Sequence, residues 1–220
     1  MAEKPRVKAP KQRSTTGSDD SDRMRKLLLI GSVLAALVVA GALYAAVGRG
    51  DGGRDEASVR ADLEAVGCTL KTVKALSGQH SVSDPSGTSD RWNTDPPTNG
   101  PHYAVAAIFG IYDDELDASR VVHNLEHGAV YIFYGDEVPE SVVAELRTFY
   151  DTHERGTLVA PYPKLGDKVA LGAWVAEGED AKGHLAKCTA FDEDAVSAFF
   201  RAFQFLGPER FDPSALQPGS

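Results

Sequence analysis

The run Val121-Val122-His123-Asn124-Leu125-Glu126-His127-Gly128 sets two imidazoles four residues apart, with a carboxylate beside the second. Read as a short helix over Val121–His127, it projects His123 and His127 from one face, a turn apart. Glu126 then lies within about 100° of both, because each helical residue advances by about 100°. Such a face can bind a metal ion or line a polar pocket.

A second stretch, Asp95-Pro96-Pro97-Thr98-Asn99-Gly100-Pro101-His102-Tyr103, holds three prolines that fix φ and restrict the residues before them to extended geometry. Asn99-Gly100 supplies a tight turn. The segment is stiff, so it delivers His102 to a defined place at small ordering cost, as a ligand-presenting loop must. His80, His102, His123 and His127 fall within one third of the region beyond residue 55, and only His153 and His184 lie elsewhere. Imidazole is the common protein ligand of zinc and copper. The sequence therefore nominates His102, His123 and His127 as metal ligands, His80 as a weaker fourth, and zinc or copper as the ion. The bland alternative is a set of hydrogen-bonded pocket histidines aided by Asn124 and Glu126.

His123-x-x-Glu126-His127 also fits the H-x-x-E-H signature of inverted zinc peptidases. In that chemistry Glu126 would be the catalytic residue, a general base on a metal-bound water whose pKa falls to about 7. The mechanism wants a long helix, and Gly128 ends this one at once. The sequence holds no nucleophile elbow, no phosphate-cradling glycine loop and no Cys-x-x-Cys. Trp92, Trp174 and the late phenylalanines read as core. Asp113-Asp114-Glu115 and Glu177–Asp180 read as solvated turns without the alternating spacing of a calcium loop.

The elements that must position these groups alternate in type. Asp55–Val66 has first-turn acids, helical apolar spacing and Gly67 as a stop, which predicts a helix. Thr69–Ala75 predicts a short strand, and Gly78–Gly100 a long polar loop of the kind that more often serves a function. Ala129–Tyr134, β-branched and aromatic, predicts a buried strand. Pro139–His153 reads as a helix, Thr157–Ala160 and Lys168–Val175 as strands, and Asp192–Leu206 as a helix stopped by Gly207-Pro208. That order predicts an α+β domain with helices packed on a mostly antiparallel sheet.

Ahead of this domain, Leu27–Val47 is a run of 21 residues without a charge. At about 1.5 Å per residue it can cross a bilayer core of about 30 Å, giving one N-terminal transmembrane helix. Residues 1–26 carry eight Lys/Arg against four Asp/Glu, whereas the far flank Gly48–Glu56 has two against three. The positive-inside bias places the N-terminus in the cytoplasm and the C-terminal part outside. A cleaved signal peptide is the competing reading, but its apolar region is shorter, about 7–15 residues. The expected organisation is a disordered cytoplasmic tail at 1–26, a transmembrane helix at 27–47, a linker at 48–54 and an extracytoplasmic domain at 55–220.

The whole chain carries −9 and its tail +4, which leaves −13 on residues 27–220. Nucleic acid selects basic surfaces, so it is excluded as a partner. The membrane is the partner expected, through Leu27–Val47, and no protein partner is named. Cys68 and Cys188 are the only cysteines, and both follow the apolar run. Outside the cell an even pair reads as a disulfide.

Pro96-Pro97-Thr98-Asn99-Gly100-Pro101-His102-Tyr103, then His123-Asn124-Leu125-Glu126-His127-Gly128, then Ala173-Trp174 and a Phe-rich end, resemble a family of membrane-anchored bacterial proteins. That family is known only as a domain of unknown function, number three-one-zero-five. Its pattern has Ser where this chain has Asn99, which keeps the turn polar. The resemblance implies membrane anchoring and a domain over most of residues 60–210. It implies no activity, substrate or metal. Three functions are carried forward: a metal-binding or metal-sensing module, a metal-dependent hydrolase using Glu126, and a non-catalytic envelope interaction protein.

Overall fold

The structure is a computed structural model that describes residues 55–81, 92–177 and 180–220. The expected tail, transmembrane helix and linker lie outside the described residues. Among the described residues, no helix is long and apolar enough to cross a membrane.

Helix α1 (Glu56–Ala65) starts where Asp55 caps it, accepting a hydrogen bond from the Ser58 N–H at 2.7 Å, and stops before Gly67 at φ 82°. Strand β1 (Cys68–Lys74) follows. Two short pieces, β2 (His80–Ser81) and β3 (His102–Tyr103), pair in parallel, and β4 is Gly110–Ile111. Helix α2 (Ala118–Glu126) is capped by Asp117 and followed by β5 (Val130–Tyr134). Then come α3 (Glu140–Thr152), β6 (Thr157–Pro161), β7 (Val169–Glu177), β8 (Asp180–Cys188) and α4 (Glu193–Phe203).

The main sheet runs β1-β8-β7-β5-β6-β4. The β1-β8, β8-β7 and β7-β5 pairs are antiparallel, while β5-β6 and β6-β4 are parallel. Among the described residues the fold is α+β, with a mostly antiparallel sheet and four α-helices, as the sequence predicts. Beta alternation splits the core into two layers. Val130 and Ile132 of β5 join Val59, Leu63, Leu146, Phe149, Phe199 and Phe203 on the face covered by α1, α3 and α4. Tyr131 and Phe133 join Val121, Val122, Leu125, Phe109 and Trp174 on the face covered by α2. With both sides buried, β5 shows no polar alternation, as its sequence suggests.

Cys68 and Cys188 are cross-strand partners at the ends of β1 and β8, and they form a disulfide with Cα atoms 4.0 Å apart. The bridge ties the start of β1 to the end of β8.

The structure differs from the sequence reading at one helix and adds a strand that the sequence does not announce. Strand β8 goes unpredicted because Asp-Ala-Lys-Gly-His-Leu-Ala-Lys-Cys has little intrinsic β preference; its place between β1 and β7 makes it a strand. Helix α4 ends at Phe203, short of the expected Gly207-Pro208 stop, and Phe205 takes the left-handed turn at φ 63°. Gly207 serves elsewhere. A Cβ there would stand 2.2 Å from the Glu126 carbonyl oxygen and 2.3 Å from the Gly128 nitrogen, so only glycine lets the C-terminal segment pass the end of α2.

Candidate metal centre

The proline loop is laid onto the sheet at a glycine. A Cβ on Gly183 of β8 would meet Asn99 Nδ2 and Thr98 Oγ1, each at 2.3 Å, so the bare strand lets these two side chains sit flat on it. Both are fully buried. Asn99 Oδ1 accepts from the Leu76 N–H at 2.7 Å, and its Nδ2 donates to Asn93 Oδ1 at 3.0 Å. Thr98 N–H donates to Thr94 Oγ1 at 3.0 Å. Gly100, at φ 109°, makes the turn read from Asn99-Gly100. His102 is thereby fixed next to β2, whose His80 is its direct register partner.

Helix α2 supplies the rest. Leu125 and Val122 face the sheet with no exposure. Asn124 clamps the loop after His102: its Nδ2 donates to the Ala107 carbonyl at 2.8 Å, and its Oδ1 accepts from the Ala107 N–H at 2.9 Å. Ser119 Oγ accepts from the Tyr103 N–H at 2.9 Å. These bonds hold the proline loop against the helix, and His123 and Glu126 face His102 across the gap.

The structure brings together His80, His102 and His123, whose ring centroids are 4.8 to 5.0 Å apart. Among the described residues, two donor groups have their ligand atoms within 4.8 Å of one another: His80, His102 and His123, and His123, Glu126 and His127. His102 and His127 share neither group. His80, ranked last by sequence, stands with His102 and His123. His127 lies on the other side of His123, ring centroids 4.6 Å apart, with Phe211 over its ring at 4.1 Å. His153 stacks on Phe149 and His184 on Phe203, both away from this cluster.

The protonation pattern can be read from the backbone. His102 Nδ1 lies 2.8 Å from the Gly100 carbonyl oxygen, and His123 Nδ1 lies 2.6 Å from that of Tyr103. A nitrogen facing a carbonyl oxygen must carry the proton, so each neutral ring presents a lone pair at Nε2. Metal-binding histidines are typically held in this way. Glu126 Oε2 is 3.0 Å from both His80 Nε2 and His102 Nε2. His102 Nε2 is fully buried and makes no aligned hydrogen bond. A lone pair beside a carboxylate is repulsive unless positive charge lies between them. The pocket therefore calls for a proton or a metal ion.

The titration shifts agree. For Glu126, burial pushes the pKa up, but contact with His102 and His80 outweighs it and the net shift is down. Burial pulls His102 down, yet Glu126 and the Gly100 carbonyl reverse this and raise it. His123 is lowered, first by burial and also by its His102 and His80 neighbours, against the pull of the Tyr103 carbonyl. His127 is lowered by burial and by His123. His123 and His127 are thus poised as neutral nitrogen donors.

Trp174, on the central strand β7, forms one wall; its ring meets that of His102 edge-on at 6.0 Å. Gly78 forms another. A Cβ there would lie 2.6 Å from Glu126 Oε1 and 2.9 Å from Trp174 Cη2. The sequence gives no direct sign of either wall, since both depend on non-local packing. The donor set suits zinc or copper. Zinc takes imidazole nitrogens at about 2.0–2.1 Å, and His80 is the half-exposed ring of the group, facing Glu126 Oε2 at 3.0 Å.

A search of curated proteins and a search of solved structures return no match. The family described as "Protein of unknown function (DUF3105)" matches residues 85–215, more than half of the chain, and spans the proline loop, α2 and the strands that carry Gly183 and Trp174. The chain belongs to the DUF3105 family.

Proposed function

We propose that this chain is a single-pass membrane protein whose extracytoplasmic domain binds a transition metal ion, zinc or copper. In this reading Leu27–Val47 is the anchor, residues 1–26 are a cytoplasmic tail, 48–54 a linker and 55–220 the outer domain. The charge-free apolar run and the basic excess ahead of it support that topology. The disulfide supports an oxidising compartment. His80, His102 and His123 are the nitrogen ligands and Glu126 the carboxylate donor.

One observation carries the metal reading: a buried His102 Nε2, with its other nitrogen committed to a carbonyl, faces a carboxylate at 3.0 Å without an aligned hydrogen bond. The same contact favours a ligand role for Glu126 over a hydrolase. A general base stands back from the ligand nitrogens to reach a metal-bound water, whereas this oxygen touches two of them.

Equilibrium dialysis of the purified full chain against zinc or copper, followed by metal analysis, tests the proposal. Stoichiometric metal is expected at micromolar free ion, and it disappears in His102→Ala and His123→Ala. Glu126→Gln weakens retention. A wild-type chain that holds no transition metal at micromolar concentration overturns the reading. Protease added to intact cells should cut the outer domain and spare the tail; the reverse pattern rejects the topology.

A further inference from the structure

His127 remains after the first ion is assigned. The first set uses His80, His102, His123 and Glu126, a complete shell for a four-coordinate ion. Yet His127 sits with His123 and Glu126 in a second group whose donor atoms all lie within 4.8 Å of one another. Glu209 Oε2 is 3.4 Å from His127 Nε2. The segment bearing Glu209 is pinned there, because its N–H donates to the Glu126 carbonyl at 3.0 Å and Gly207 allows the close pass. Phe211 covers the outer side of His127.

We propose that the centre has a second cation position, made by His123 and His127 with Glu126 as a shared carboxylate and Glu209 beside it. This inference rests on the metal-binding reading above. His123 has one free nitrogen, since the other faces the Tyr103 carbonyl. It can therefore serve one ion at a time. With both positions filled, His80 and His102 keep the first ion, His123 and His127 take the second, and Glu126 lies between the pairs. Each ion then has two imidazoles and a share of the carboxylate. A carboxylate can bridge two ions about 3.5–4 Å apart, which an imidazole held by a carbonyl cannot. Glu209 supplies the further negative charge that a second divalent ion requires. The preferred guest is an imidazole-seeking divalent ion such as zinc or copper(II).

The test is a titration of the full chain with zinc, read as bound equivalents, alongside copper(II) loading read by electron paramagnetic resonance. Wild type is expected to bind two zinc ions in separable steps. His127→Ala should bind one, with the tighter step unchanged within threefold, and Glu209→Gln should weaken only the second step by about tenfold. Two copper ions sharing Glu126 should lose their isolated-ion signal through magnetic coupling, and His127→Ala should restore it. Two equivalents without coupling would mean a separate surface ion and would overturn the shared-carboxylate centre. One equivalent in wild type, abolished by His102→Ala, would overturn the second position while leaving the metal module intact. No bound zinc at all would instead fail the underlying reading.

Discussion

Replacing Asn124 with Ala should cost the domain a definite amount, because both partners of its amide are known. The side chain has no exposure, and it satisfies the N–H and carbonyl of Ala107, itself buried. Truncation leaves both backbone groups unsatisfied at about 1–3 kcal/mol each, or about 2–6 kcal/mol together. For a domain of this size about 2–4 °C is lost per kcal/mol, so a mid-range loss of about 4 kcal/mol lowers the melting temperature by about 8–16 °C. Asn124→Asp makes the test sharper. The carboxylate can still accept from the Ala107 N–H but now opposes the Ala107 carbonyl with an oxygen. Its deficit against wild type should be largest near neutral pH and shrink on acidification, when a protonated carboxyl regains a donor. The same clamp steadies the loop bearing the Tyr103 carbonyl that orients His123, so zinc affinity of the Ala variant should fall about tenfold. Thermal unfolding by circular dichroism on the metal-free chain, with zinc competition alongside, reads all three effects. A loss under about 0.5 kcal/mol, the size of an ordinary surface change, would refute the idea that this amide joins the loop to the helix.

Gly78→Ala should displace Glu126 and Trp174, since a Cβ there would stand 2.6 Å and 2.9 Å from them; zinc competition should show at least tenfold weaker binding, and unchanged affinity would mean the wall is not where we place it. In the metal-free chain the Glu126–His102 pair stabilises the fold most between about pH 4.5 and 6.5. Glu126 is depressed below its ordinary 4.5, so its contribution fades as acid protonates it. His102 is raised above its ordinary 6.5, so its contribution fades as alkali removes its proton. Urea midpoints across pH should trace this plateau, and Glu126→Gln should flatten it; an equally shaped profile in the variant would reject the pair. Removing the bridge by Cys68→Ser with Cys188→Ser frees a loop of 120 residues, and the loop-entropy model puts the loss at about 5 kcal/mol. The urea midpoint should fall accordingly, and a change below about 1 kcal/mol would show that the β1-β8 pairing alone supplies the closure.

Much of the scaffold was legible because its signals are local. Helices α1 and α3 carry periodic apolar faces with clear starts, and the unbroken apolar run of β5 announces a strand buried on both sides. What escaped depends on partners distant in sequence. Strand β8 pairs locally with β7, but its other edge is set by β1, 112 residues away at pairs such as Thr72 with His184. The place of His80 follows from its register with His102, which a polar stretch between them hides. Counting histidines found the cluster. Spacing alone could not say that His127 falls on the far side of His123, because helical spacing fixes a face and not the distance to another loop. The role of Asn124 was equally hidden: an amide in a helix shows its partner only when the loop is folded against it.

The pairing of His80 with His102 through a parallel ladder only two residues long has a kinetic consequence. So small a latch opens at little cost compared with the buried strands. An ion that joins the two imidazoles would act as a clasp, fastening the segment that supplies one of its own ligands. Occupancy and local order would then rise together, and part of the binding heat would belong to ordering that segment. Amide exchange at Gln79, His80 and Ser81 should consequently report the ion's arrival and departure more directly than any signal from the sheet.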